Sequence, residues 1–188
     1  GTGKTGAFTV AALQSVDISK ASTQILILAP TRELARQIYD VILGLSAMMS
    51  GLHIRLLVGG TSTSEDAAEL RKSVPHIIVG CPGRVFDMIR RNHIQSSHIH
   101  MLVLDEADEM LSAGFNDQIY NIFQYMPSEI QVVLFSATMP TELYNLTEKF
   151  MRNPVNIQVK AEQLTLEGIQ QHYVALDDDV QKYLTLKD

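Results

Sequence analysis

Met101-Leu102-Val103-Leu104-Asp105-Glu106-Ala107-Asp108 is the stretch whose reading decides the fold. Four consecutive apolar residues, with no polar alternation, read as a strand covered on both faces. Strands of that kind belong to parallel sheets, which bind ligands at the carboxyl ends of their strands. The apolar run gives way there to an acidic pair. Similar runs recur at Ile25 to Ala29, Ile54 to Val58, His76 to Val79 and Val132 to Phe135. Between them lie helical periods. Leu34, Ile38, Val41, Ile42, Leu45, Met48 and Met49 form one apolar face, and Leu143, Leu146 and Phe150 another. Pro140 suits the first turn of the later helix. This alternation predicts an α/β domain: a parallel sheet with helices on both faces.

The 188 residues suit one domain, and 46% hydrophobic with 19% charged residues is the composition of a globular chain. Cys81 is the one cysteine, so no internal disulfide forms, and a reducing compartment is the natural reading. No apolar run is long enough to span a bilayer, and no membrane partner is expected. The net charge of −6 repels polyphosphates as a whole. Any nucleic acid must be held by local donors: a few arginines, backbone N–H groups and helix N-termini.

Composition shifts near Asn153-Pro154. Residues 155–159 alternate like a last strand, 160–168 read as a polar linker, and 169–188 read as the opening of a second domain. The first domain then runs over 1–159. Asp177-Asp178-Asp179 reads as a solvated turn and His93, His98 and His100 as a surface connection, since neither has metal-ligand spacing. Glu65, Asp66 and Glu69 look like the exposed start of a helix.

Gly1-Thr2-Gly3-Lys4-Thr5 matches the end of the phosphate-binding pattern G-x-x-x-x-G-K-[ST]. Glycines let backbone N–H groups curl toward phosphates, Lys4 brings a compact positive charge, and Thr5 offers a hydroxyl to Mg2+. A glycine turn before a helix is the plain alternative. Asp105 and Glu106 supply what a phosphate loop lacks: Asp105 to hold Mg2+, Glu106 to orient and deprotonate an attacking water. Ser136 and Thr138, at another strand end, can hydrogen-bond Asp108 and tie that strand to the nucleotide site.

Taken in order, Gly1 to Thr5, Pro30-Thr31-Arg32-Glu33-Leu34-Ala35, Gly59-Gly60, Pro82-Gly83-Arg84, Asp105 to Asp108 and Ser136-Ala137-Thr138 resemble the first-lobe motifs of DEAD-box RNA helicases. The likeness covers nearly the whole chain. Val85-Phe86-Asp87-Met88, Gly114-Phe115 and Leu164 to Ile169 are similar to members acting in translation initiation, with exon-junction members close by. The resemblance implies a RecA-like P-loop NTPase lobe whose P-loop strand precedes Gly1, followed by the start of a second lobe. It implies ATP and Mg2+ at Gly1, Thr2, Gly3, Lys4, Thr5, Asp105, Glu106, Asp108, Ser136 and Thr138. It implies single-stranded RNA, held by its backbone without sequence preference, at Pro30, Thr31, Arg32, Gly59, Gly60, Pro82, Gly83 and Arg84. Where the family usually has Thr before Pro-Gly-Arg this chain has Cys81, a poorer hydrogen-bond partner.

The activity so implied is ATP-driven local unwinding of short RNA duplexes, with Lys4, Asp105 and Glu106 as the catalytic set. Scaffold and regulatory proteins of a translation-initiation complex are the implied partners. A cytoplasmic location follows, or a nuclear one for an exon-junction type. Two alternatives stand beside it: an ATP-gated RNA clamp of the exon-junction type, and another helicase of the same superfamily. The arginine fingers and adenine-gripping motif of such enzymes lie outside these residues, so residues 1–188 alone are expected to be nearly inactive.

Overall fold

The computed structural model describes residues 3–157, 170 and 172–187. Gly1, Thr2 and the expected linker at 160–168 lie outside the described residues. The chain divides into two units, Gly1–Arg152 and Asn153–Asp188.

In the first unit, each of the five apolar runs is a four-residue strand: β1 (Ile25–Leu28), β2 (Ile54–Leu57), β3 (Ile77–Gly80), β4 (Met101–Leu104) and β5 (Gln131–Leu134). They form one wholly parallel sheet in the order β2-β3-β1-β4-β5. The register is level: Leu28 pairs with both Gly80 and Leu104, Leu57 with Gly80, and Leu104 with Leu134. Every strand therefore stops at the same height, and the loops after them share one edge.

Among the described residues of this unit, seven helices cover the sheet: α1 (Lys4–Ser15), α2 (Arg32–Leu45), α3 (Thr63–Lys72), α4 (Pro82–Arg90), α5 (Ala107–Ser112), α6 (Asn116–Tyr125) and α7 (Thr141–Phe150). The period of two along each strand splits the core. Ile25, Ile27, Ile77, Val79, Met101 and Val103 pack with Phe8 and Ala12 of α1 and Ala35, Ile38 and Ile42 of α2. Leu26, Leu28, Ile78, Leu102 and Leu104 face the other way, onto α3 to α7. Each fully buried Ile or Leu contributes about 1.5–3 kcal/mol of transfer free energy, which is why continuous apolar runs are needed in the central strands.

Three expectations change. The apolar face drawn through Leu45 and Met48 overruns its helix: α2 ends at Leu45 with Ser46 as cap, and Met48 is 94% exposed. Asp66 is not on an exposed face. It is 4% exposed and lies between two arginines, described below. Residues 155–157 are not in a strand. Val155 and Ile157 are exposed, and alternation gives a strand only where a neighbouring edge takes its hydrogen bonds.

The second unit holds one described helix, α8 (Asp179–Lys187). Residues 172–176 have no regular structure. Among the described residues no helix is long and apolar enough to cross a membrane.

Candidate functional site

Because the sheet is parallel and level, the sequence motifs arrive at one edge, sorted by strand order. The loops after β2, β3 and β1 carry Gly59-Gly60, Cys81-Pro82-Gly83-Arg84 and Pro30-Thr31-Arg32. The loops after β4 and β5 carry Asp105-Glu106 and Ser136-Ala137-Thr138.

On the β4–β5 side, backbone bonds continue the ladder past the strands: Asp105 N–H donates to Leu28 C=O at 3.0 Å and Phe135 N–H to Leu104 C=O at 2.8 Å. Asp105 is thereby fixed at the strand tip, 4% exposed. Its Oδ1 accepts the Glu106 N–H at 3.1 Å, and among the described residues its Oδ2 accepts no hydrogen bond. Burial raises the Asp105 carboxyl above its ordinary value, and the negative Glu106 adds to this. The Glu106 N–H and the positive charge of Lys4 act the other way. Lys4 thus stands within electrostatic reach of Asp105, at the first residue of α1, with Gly3 in the left-handed region (φ 78°) as its N-cap. A half-satisfied buried carboxylate within electrostatic reach of a lysine suits a hard cation carried in with phosphates. Among the described residues no three His, Cys, Asp or Glu side chains are grouped to hold a metal by themselves.

Glu106 is held at φ 51°, ψ 52°, an unusual conformation for a non-glycine residue. Such strain costs on the order of 1–3 kcal/mol and is found at functional positions. It turns the exposed Glu106 carboxylate out at the edge while Ala107 enters α5, its N–H on Phe135 C=O at 3.0 Å. Asp108 joins the β4 and β5 loops. Its Oδ2 accepts the Thr138 N–H at 3.0 Å and hydroxyl at 2.6 Å. Its own N–H donates to Ser136 Oγ at 3.3 Å, and the Ser136 hydroxyl donates to Thr138 C=O at 2.6 Å. Burial pushes the Asp108 carboxyl up, but the Thr138 and Ser136 hydroxyls outweigh it and hold the group below its ordinary value.

On the β1–β3 side lies a cavity of about 450 Å3, bordered by Thr31, Arg32, Gly59, Cys81, Gly83 and Arg84 among others. Two helix N-termini open onto it. Thr31 caps α2, its Oγ1 accepting the Leu34 N–H at 3.2 Å, and Pro82 occupies the first turn of α4. Free N–H groups and positive helix ends suit phosphate oxygens. The Arg32 guanidinium lies over the glycine pair. A Cβ at Gly60 would fall on Arg32 Nη1, and Gly60 has φ +87°; a Cβ at Gly59 would meet only ordinary contact, 3.4 Å from Arg32 Nη2. Cys81 is buried; burial raises its thiol, which Arg32 only partly offsets, so it stands as a neutral thiol. Arg84 points back into the protein, onto Thr61 and Asp66. The sequence pattern does not mark Thr61, and it places Asp66 on an exposed helix start.

A parallel sheet with a lysine-tipped helix, a buried aspartate and hydroxyl-linked strand ends on one edge defines a RecA-like nucleotide-dependent lobe. Residues 1–146 match the family of DEAD/DEAH box helicases. The chain belongs to that family. It is 54% identical, over its whole length, to the ATP-dependent RNA helicase eIF4A of Eremothecium gossypii, of which it spans 47%. The likeness is therefore to about half of that protein. Saccharomyces cerevisiae Dbp5 bound to RNA and ADP BeF3 superposes on 99% of the chain with a TM-score of 0.84 at 32% identity, matching 46% of Dbp5. A DEAD box protein from Methanococcus jannaschii covers 81% of the chain with a TM-score of 0.75 at 35% identity, matching 41% of that protein.

Proposed function

We propose that this chain is the first lobe of an ATP-dependent RNA helicase of the translation-initiation type, with ATP at the β4–β5 half of the edge and RNA at the β1–β3 half. The observation that carries this reading is the sorting itself: one level sheet edge presents Lys4 and Asp105 on one side of β1 and the Arg32–glycine surface on the other. Identity to eIF4A and likeness to an RNA-bound neighbour support it.

In this reading Gly1, Thr2 and Gly3 lend backbone donors, and Lys4 holds the terminal phosphates. Thr5 and Asp105 would hold a magnesium ion, and the chemistry it would supply is positive charge beside those phosphates. Glu106 accepts the proton of the attacking water as the new P–O bond forms and the bond to the ADP oxygen breaks. Asp108, with Ser136 and Thr138, passes the state of that site to the β5 loop. RNA runs over Pro30, Thr31, Arg32, Gly59, Gly60, Pro82 and Gly83, with Arg84 at its margin. Apart from Arg84, which turns inward, these groups meet phosphate and sugar, not base edges, so binding ignores sequence. Scaffold and regulatory proteins of translation initiation are the partners this reading entails.

The test is the ATPase of the full protein with RNA and with DNA. RNA should stimulate turnover and DNA should not. Glu106→Gln should retain nucleotide affinity while turnover falls by about 10²–10⁴, the usual contribution of a general base. Turnover that is unchanged in this variant removes Glu106 from its role. An RNA clamp without useful hydrolysis would instead show tight ATP-dependent RNA binding and little turnover in the parent.

A further inference from the structure

Beneath the RNA-facing edge lies a charge cluster that the proposed chemistry does not use. Asp66, on α3, is nearly sealed from water, with 6% of its side chain exposed. Its Oδ2 receives Arg84 Nη1 from the first turn of α4. Its Oδ1 faces Arg55 Nη2 of β2 at 3.4 Å, and Arg55 also reaches Glu69 Oε2 at 3.7 Å. The Thr61 hydroxyl lies 3.2 Å from Asp66 Oδ2 and 3.1 Å from the Val58 carbonyl, either of which can take its proton. Arg84 completes the ring: Nη1 donates to Thr61 Oγ1 at 2.9 Å and Nη2 to Thr61 C=O at 2.8 Å.

The consequence concerns Arg84. An arginine that grips a phosphate must show its donors to solvent. The Arg84 side chain is 9% exposed, and three protein acceptors already take its terminal nitrogens. Those acceptors sit on the loop that carries Gly59-Gly60-Thr61 and on the helix behind it. We infer that Asp66 and Arg84 are positioning residues for RNA binding: a buried ion pair that fastens the glycine loop after β2 to the Pro82-Gly83 turn after β3, without Arg84 itself contacting phosphate. The fastening matters because the seat for Arg32 is that same loop. Let it drift and the guanidinium loses its place over Gly60. Asp66 is suited to this work because a carboxylate between two arginines, shut from water, holds geometry that exposed pairs do not.

This inference rests on the RNA-binding reading of the edge, and the test separates the two. In the full protein, binding of a fluorescent oligouridylate is followed by anisotropy over a salt series, with a non-hydrolysable ATP analogue present. Asp66→Asn, Thr61→Val and Arg84→Gln should each weaken RNA binding about tenfold, with nucleotide affinity within about twofold of the parent. The double variant Asp66→Asn/Arg84→Gln should bind no more weakly than the worse single variant, because both remove one device. The salt slope should not change in Arg84→Gln. A slope lower by about 0.7, the share of one single-strand phosphate contact, would put Arg84 on the RNA and overturn the inference. So would unchanged RNA affinity in a folded Asp66→Asn. If Asp66→Asn does not fold, Thr61→Val decides alone, since it keeps both charges and removes only the hydroxyl. A parent that binds no RNA overturns the reading of the edge, and the inference with it.

Discussion

Gly60→Ala places one methyl group where the glycine loop meets Arg32 of the proposed RNA surface. Gly60 has φ +87°, where a side chain costs about 1–2 kcal/mol. The added Cβ would also fall on Arg32 Nη1, with Arg32 Cζ 3.0 Å away. Arg32 is exposed and flexible, so it moves aside and the stability loss stays near the backbone term. At roughly 2–4 °C per kcal/mol for a chain of this size, Tm falls by roughly 2–8 °C. RNA binding suffers more, because the displaced guanidinium loses a charge-assisted contact worth about 1.5–3 kcal/mol, or about 10- to 150-fold in Kd. Gly59→Ala is the internal control. Its φ is ordinary and its Cβ would reach only van der Waals distance of Arg32, so its effect should stay within about threefold. Anisotropy with single-stranded RNA measures the affinities in the full protein, and thermal melting the stabilities. Equal losses of affinity in the two variants, or none in Gly60→Ala, would refute the seat for Arg32.

Two further perturbations address the nucleotide side. Burial raises the Asp105 carboxyl, so the folded protein takes up this proton more readily than the unfolded chain. Ionised Asp105 therefore lowers stability above its folded value, and the penalty vanishes below the unfolded value of about 3.9. Asp105→Asn should accordingly raise the Tm of the nucleotide-free protein near pH 7, with the gain shrinking toward about pH 4. It should also abolish the Mg2+-dependent rise in Tm that nucleotide gives the parent, and a variant less stable than the parent near neutral pH would contradict the burial argument. Thr138→Val removes the 2.6 Å hydroxyl bond to Asp108 but not the backbone one. Nucleotide affinity should hold while RNA stimulation of the ATPase falls about tenfold, and stimulation equal to the parent's would show that this bond carries no coupling.

The sheet was legible because its three central strands are buried on both faces: Ile25 to Leu28 and Met101 to Leu104 need no partner to be recognised. Lys4, Asp105 and Glu106 could be picked out for a related reason, since each stands next to an element boundary that the pattern marks. Asp66 was not. Beside Glu65 and Glu69 it has the spacing of a solvated helix face, and only folding brings Arg55 and Arg84 to it from other elements. Met48 shows the converse error: a three-four period does not reveal that a helix has stopped, and here Ser46 stops it. At 155–157 the alternation was real, but alternation supplies side chains for a strand and not a neighbour to bond with.

The division of one sheet edge between nucleotide and RNA is tested most directly by amide hydrogen exchange of the full protein, with each ligand added alone. Mg2+ with ADP and beryllium fluoride should protect the amides of residues 3–6, 105–108 and 136–138, and oligouridylate should protect those of 31–33, 59–61 and 83–84. Nucleotide protection centred on the loops of Arg32, Gly60 and Gly83, with residues 105–108 unaffected, would contradict it.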